Sequence, residues 1–180
     1  SPNILKRLSD SGVSLFRINL SHTKLEQLST LIEEIQQLTD TPICLDSEGA
    51  QVRTGNILSP PLNVEANTFL ELRGDPSPGT LGSIPLYPEF VTSELTPGDL
   101  ISIDFNTVLV QVFRVDSDSA LTRVLNGGEI ASNKAVTVNR RLNLPPITDK
   151  DRNAIEIGIS KNINHFALSF ANKGSDVQKI

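Results

Sequence analysis

Pro42-Ile-Cys-Leu-Asp46 is a short apolar run that ends in a carboxylate, and Ser47-Glu-Gly-Ala-Gln-Val-Arg-Thr-Gly55 carries it into a loop bounded by two glycines. A run of this length between turn residues predicts a buried strand. Upstream of it the chain reads as helix and strand in alternation; downstream that alternation stops. Asp46 therefore stands at the end of a strand where one kind of chain gives way to another. Open α/β sheets and barrels place their sites at such carboxyl ends.

Towards the amino end, Thr23-x-x-Glu26 predicts a capping box, and Leu25, Leu28, Leu31, Ile32, Ile35 and Leu38 keep helical spacing behind it. Before that helix, Val13-Ser-Leu-Phe-Arg-Ile-Asn-Leu20 has branched and aromatic residues on both faces, as a strand covered on both sides does. Ser1-Pro2 predicts the start of a first helix with Ile4, Leu5 and Leu8 on one stripe and Gly12 closing it.

Towards the carboxyl end, Pro60, Pro61, Pro76, Pro78, Pro85, Pro88 and Pro97 leave no room for a helix of ordinary length. Thr68-Phe-Leu-Glu-Leu72, Leu100-Ile-Ser-Ile-Asp104 and Val108-Leu-Val-Gln-Val-Phe113 alternate instead, with Asp104-Phe-Asn-Thr107 as a hairpin turn. Helix and strand resume where Thr148-x-x-Asp151 opens a helix with Ile155 and Ile159 facing inward, followed by the strand His165-Phe-Ala-Leu-Ser-Phe170 and a last helix capped by Ser175-Asp176. The expected organisation is α/β: residues 1–55 and 132–180 share one parallel sheet, and an all-β insert over 56–131 hangs from the loop after the second strand.

Sixteen Lys and Arg against 21 Asp and Glu give a net charge of -5, and no basic cluster exceeds Arg140-Arg141, so nucleic acid is not an expected partner. No apolar run approaches the roughly 20 residues that span a bilayer, and the residues from Ser1 onward do not read as a charged-then-apolar leader, so a soluble chain without export signal is expected. Methionine is absent, which suits a trimmed start or a piece of a longer chain. Cys44 reads as a small buried hydrophobe in a reducing compartment. His165 reads as a partly buried core histidine.

Arg17 and Asn19 interrupt the apolar strand near its carboxyl end, and Ser21 and His22 sit just beyond. A buried Arg needs a partner. Either Asp46 on the neighbouring strand pins Arg17, or Arg17 holds an anionic ligand while Asn19, Ser21 and Asp46 offer hard oxygens to a cation. Arg53 lies in the loop between Gly49 and Gly55, whose spacing is neither a Walker loop nor a dinucleotide fingerprint. Lys134 is a second phosphate ligand or a solvated loop lysine.

Five segments together resemble the pyruvate kinases. Phe16-Arg-Ile-Asn-Leu-Ser-His22 is similar to that family's Arg-x-Asn-x-Ser-His segment, and Leu45-Asp-Ser-Glu-Gly-Ala-Gln-Val-Arg-Thr-Gly55 to its Asp-Thr-Lys-Gly-Pro-x-Ile-Arg-Thr-Gly loop. Asn126-Gly-Gly-Glu-Ile-Ala-Ser-Asn-Lys-Ala-Val136, Leu144-Pro-Pro-Ile-Thr-Asp-Lys-Asp151 and Ala167-Leu-Ser-Phe170 follow in the family's order.

The resemblance implies the amino-terminal part of a (β/α)8 TIM-type barrel with a small inserted β-barrel lid, the B domain. It implies that Arg17, His22, Arg53 and Lys134 contact phosphates of ADP/ATP or phosphoenolpyruvate, with Ser169 and Phe170 lining the substrate pocket. Asn19, Ser21, Asp46 and Ser47 would hold potassium. Magnesium is implied too, but its Glu and Asp ligands and the catalytic Lys belong to later barrel strands, so phosphoryl transfer in glycolysis is expected only of a complete chain in the cytoplasm. Removing residues 56–131 leaves about 104 residues against roughly 250 for a full barrel, so the remaining barrel half or another chain is expected to cover the open sheet.

Departures from the family pattern are Glu48 for lysine, Ala50 for proline, Ala135 for glycine, Asn139-Arg140 for a Pro-Gly turn and Asp104-Phe-Asn106 for Asp-Asp-Gly. They favour a rival expectation, a non-catalytic binding or interaction module. A third is an α/β domain of unrelated role.

Overall fold

The computed structural model describes residues 2–178, so the helix-starting role expected of Ser1 lies outside the described residues. The chain forms two compact units, residues 1–50 with 144–180, and residues 51–143. The first begins with α1 (Pro2–Asp10), β1 (Phe16–Asn19), a 3-10 turn (Leu20–His22), α2 (Leu25–Leu38) and β2 (Ile43–Asp46). The second comprises β3 (Val52–Thr54), β4 (Leu62–Val64), β5 (Phe69–Arg73), β6 (Ser83–Tyr87), α3 (Val91–Glu94), β7 (Leu100–Ile103), β8 (Val108–Val115), β9 (Ser119–Asn126), β10 (Gly128–Ile130) and β11 (Ala135–Val138). The first unit is completed by α4 (Asp149–Ser160), β12 (His165–Ala167) and α5 (Gly174–Val177).

In the first unit β1, β2 and β12 form one parallel sheet in the order β1-β2-β12, so strands from both flanks of the insert do share a sheet. Ile18, Leu20, Leu28, Ile32, Ile35, Ile43, Leu45, Ala154 and Ile163 make its core beneath α2 and α4. Each large side chain buried there contributes about 1.5–3 kcal/mol. Several expectations are corrected. The first strand starts at Phe16, not Val13, because the ladder opens with Phe16 N–H donating to Pro42 O, and β2 offers no backbone earlier. The last strand stops at Ala167, not Phe170, because its partner β2 ends at Asp46.

The capping box expected at Thr23 does not form. Thr23 Oγ1 donates to Asn19 O and closes the 3-10 turn, and α2 starts after Lys24 with no side-chain cap. At α4 the box is real, with Thr148 and Asp151 exchanging hydrogen bonds, but its inward face is Asp151, Ala154 and Gly158. Ile155 is half-buried and Ile159 is 62% exposed, against the expectation for both. Gly158 explains the difference: a Cβ there would lie 2.7 Å from Leu45 Cδ1, so the helix approaches the sheet on its small residues. Near the carboxyl end Asp176 accepts from the Asn172 and Lys173 amides, so it secures α5 from the first turn inside the helix while Lys173 holds the cap position. His165 is exposed at the amino end of β12 rather than part of the core.

In the second unit seven strands close a barrel in the order β11-β3-β6-β5-β9-β8-β7, and β4 pairs with β10 beside it. The unit runs beyond the 56–131 expected for the insert, because β3 and β11 are themselves barrel strands that pair with each other, with β6 and with β7. Its interior is aliphatic, with Leu70, Leu72, Ile84, Ile101, Ile103, Val108, Val110 and Val124 fully buried. Thr122 is buried too, and its hydroxyl is satisfied by Leu70 O at 2.7 Å. The expected turn at 104–107 joins β7 to β8 with positive φ at Asp104, Phe105 and Asn106 (51°, 54° and 72°). The proline-rich stretch holds only the four-residue α3.

Candidate functional site

Parallel register sets Arg17 beside Cys44, and Asn19 and Ala167 on either side of Asp46. The carboxyl ends of three strands thus meet at Asp46. Arg17 Nε donates to Asp46 Oδ2 at 2.7 Å, with Nη2 on the same oxygen, and Ser169 Oγ donates to Asp46 Oδ1 at 2.7 Å. Ser169 N–H donates to Ser47 Oγ at 3.0 Å, and Asn19 Oδ1 accepts from Ser21 N at 3.0 Å. Arg17, Asp46, Ser47 and Ser169 therefore form one hydrogen-bonded set. The pairing of Arg17 with Asp46 is real, but the side chain expected to be buried is 57% exposed while Asp46 is 5% exposed. The carboxylate is the desolvated partner, and the guanidinium faces water with unused N–H donors.

His22 ends the 3-10 turn and is exposed, and Phe170 is exposed with φ 56°. Cys44 is buried, as expected. Burial, then the charge of Asp46, pushes its thiol pKa up, which makes it a poor nucleophile.

Within the second unit Arg53 lies in β3, and Lys134 immediately precedes β11, the strand that pairs with β3. Thr54 N–H donates to Lys134 O at 2.9 Å, and Lys134 N–H donates to Thr54 Oγ1 at 2.8 Å. The side chains then part: Arg53 donates to Gln51 Oε1 at 2.9 Å and Asn133 O at 2.7 Å, whereas Lys134 Nζ lies 2.9 Å from Asp104 Oδ2. Lys134 is thus tethered by the turn Asp104, an arrangement that neither reading of this lysine foresaw.

Two residues of the first unit carried no site expectation. Asp151 is 0% exposed and accepts from the amides of Glu48 (2.7 Å), Gly49 (3.1 Å) and Thr148 (3.0 Å). Lys150 Nζ donates to Glu48 Oε1 at 2.7 Å and to Leu20 O at 2.6 Å. The local signal around them, a capping box, announces only a helix start. Gly49 completes the loop with φ 68°, and a Cβ there would sit 2.0 Å from Ser169 O.

The whole chain, residues 1–180, matches the family described as pyruvate kinase, barrel domain. The chain belongs to the pyruvate kinase family. A pyruvate kinase of Aeropyrum pernix is 30% identical over all of this chain and 39% of its own length. One from Geobacillus stearothermophilus is 31% identical over 98% of this chain and 31% of its own. The crystal structure of Cryptosporidium parvum pyruvate kinase superposes with a TM-score of 0.91 at 28% identity, over 99% of this chain and 39% of that one. The chain thus spans about two-fifths or less of these pyruvate kinases.

Departures from the pyruvate kinase pattern have local partners. Glu48 pairs with Lys150, Asn139 Oδ1 accepts from Leu100 N, and Arg140 grips Asp99. Potassium and magnesium fit unequally. Asp46 with Asn19, Ser21 and Ser47 supplies hard oxygens and one carboxylate, a donor set suited to a weakly charged cation. Among the described residues no group of three or more His, Cys, Asp and Glu gathers.

Proposed function

We propose that this chain is a pyruvate-kinase-like phosphotransferase segment that binds phosphoenolpyruvate and ADP/ATP, acting in glycolysis in the cytoplasm. The hydrogen-bonded set Arg17, Asp46, Ser47 and Ser169 at the carboxyl ends of three parallel strands is the observation that carries this reading. In the proposed roles Arg17, His22, Arg53 and Lys134 hold phosphate oxygens, Ser169 and Phe170 line the substrate pocket, and Asn19, Ser21, Asp46 and Ser47 hold potassium. The barrel these strands belong to is of the (β/α)8 type, with residues 51–143 as its lid domain.

Asp46 orients Arg17: two N–H groups of the guanidinium are committed to one carboxylate oxygen, so the remaining donors keep a fixed direction for a bidentate anion. Ser169 holds the other carboxylate oxygen and stops Asp46 from turning. Potassium, when bound, supplies positive charge that offsets the polyanion. These residues bind, orient and neutralise; magnesium and the proton-handling groups come from elsewhere in the complete protein, with the remaining barrel half covering the sheet.

Glu48 favours a second reading, a non-catalytic pyruvate-kinase-like interaction module, since the position where the family carries a lysine offers no cation to a phosphate and holds a carboxylate paired with Lys150 instead. Titration calorimetry with phosphoenolpyruvate and with ADP, in potassium chloride, separates the two. Saturable heat that weakens at least roughly tenfold in Arg53→Ala and Lys134→Ala supports the phosphotransferase segment. Silence with both ligands overturns it in favour of the module.

A further inference from the structure

The first turn of α4 holds both loops of the proposed cation site. Leu20, whose carbonyl oxygen accepts from Lys150 Nζ at 2.6 Å, lies between Asn19 and Ser21. Glu48, whose carboxylate accepts from the same nitrogen at 2.7 Å, directly follows Asp46 and Ser47. One ammonium group therefore bridges the two segments that carry all four proposed ligands. Asp151, one residue further, fixes the backbone of the second segment through the Glu48 and Gly49 amides.

We infer that Lys150 is a positioning residue, setting the spacing of the Asn19–Ser21 segment against the Asp46–Ser47 segment through the Leu20 carbonyl and the Glu48 carboxylate. The inference rests on the proposed reading of those four residues as a cation site. Selectivity among hard cations depends on the size and rigidity of the oxygen cage, and residues behind the ligands fix both. Ligands carried by two separate loops keep no common geometry unless something ties the loops. Lysine suits the task because its ammonium is a compact charge with three donors. Glu48 is buried, so its attraction for Lys150 is screened less than that of a surface pair. A lysine at position 48 would instead set two ammonium groups against each other; glutamate turns that repulsion into the tie.

The test titrates potassium into the full chain, with thallium(I) as an NMR-visible substitute and tetramethylammonium keeping the ionic strength constant. The thermal midpoint in tetramethylammonium alone is read separately, so that general destabilisation is distinguished from loss of the site. Wild type gives a saturable response that Asp46→Asn abolishes. Lys150→Met weakens potassium roughly 10- to 100-fold, the range for losing a group behind a metal ligand, and Lys150→Arg restores it to within about threefold. Glu48→Gln keeps the shape and one acceptor and loses part of the affinity. Unchanged affinity in both Lys150→Met and Glu48→Gln overturns the inference while wild type still responds; should Lys150→Met fail to fold, Glu48→Gln decides by the same criterion. A wild type without any saturable response overturns the cation site itself, and the inference with it.

Discussion

Asp99 and Arg140 show how a departure from the family pattern is absorbed one residue at a time. Arg140 Nε and Nη2 donate to the two Asp99 oxygens at 2.8 and 2.9 Å, and the Thr96 amide adds a third bond at 2.8 Å. Burial raises the Asp99 carboxyl, but the guanidinium and the amide outweigh it and hold the pKa below its ordinary value. A carboxyl lowered on folding contributes stability that is present above its unfolded value of about 3.9 and lost as pH falls through the folded one. Asp99→Asn should therefore cost about 1–3 kcal/mol at neutral pH in urea unfolding, with the gap to wild type closing in acid below about pH 3.9. A gap that persists there would assign the effect to packing instead of charge. Gly49→Ala is a second prediction: φ 68° and the Ser169 carbonyl 2.0 Å from the added Cβ should lower stability by at least about 2 kcal/mol in thermal unfolding. An unchanged midpoint would contradict the close approach. Arg17 and Asp46 could be read from sequence, because a charge inside an apolar strand demands a partner. Asp151 could not, since its bonds to the Glu48 and Gly49 amides cross 103 and 102 positions of chain.

At the level of elements, periodicity identified α2 and α4, yet it misplaced the inward face of α4. A stripe of isoleucines marks burial only when the helix stands off from its neighbour. Here Ala154 and Gly158 let α4 sit against Leu45 and Phe166, with Ile157 beside the core and Ile159 in solvent. Gly158→Val should overpack this contact and cost about 1–3 kcal/mol, read as a lower thermal midpoint, whereas Ile159→Ala should leave it almost unchanged. Equal effects from both would contradict the observed face. In the insert, alternation marked β5, β7 and β8 and the turn that pairs the last two, but β4, β6, β9 and β10 and the rest of the pairing were not legible. The barrel order places β3 between β11 and β6, neighbours far away in sequence that no local pattern encodes.

Across the whole molecule, residues 51–143 form a unit whose first and last barrel strands, β3 and β11, pair with each other. A closed ladder has no open edge between those strands to be completed by other parts of the chain. Residues 51–143 produced alone should therefore give a β-type circular dichroism spectrum and one cooperative unfolding transition; a non-cooperative melt would contradict that autonomy. The first unit differs, because among the described residues its three-stranded parallel sheet leaves β1 and β12 each with one neighbour. The function proposed for this chain pairs an anion at Arg17 with a cation at Asp46. Binding one ion of each sign near a common carboxylate links the two equilibria. The most direct measurement is a titration of phosphoenolpyruvate into wild type and Arg17→Met, in potassium and in tetramethylammonium chloride at equal ionic strength. Affinity that rises with potassium in wild type and drops in Arg17→Met is the predicted result; binding indifferent to both the cation and Arg17 would contradict the account.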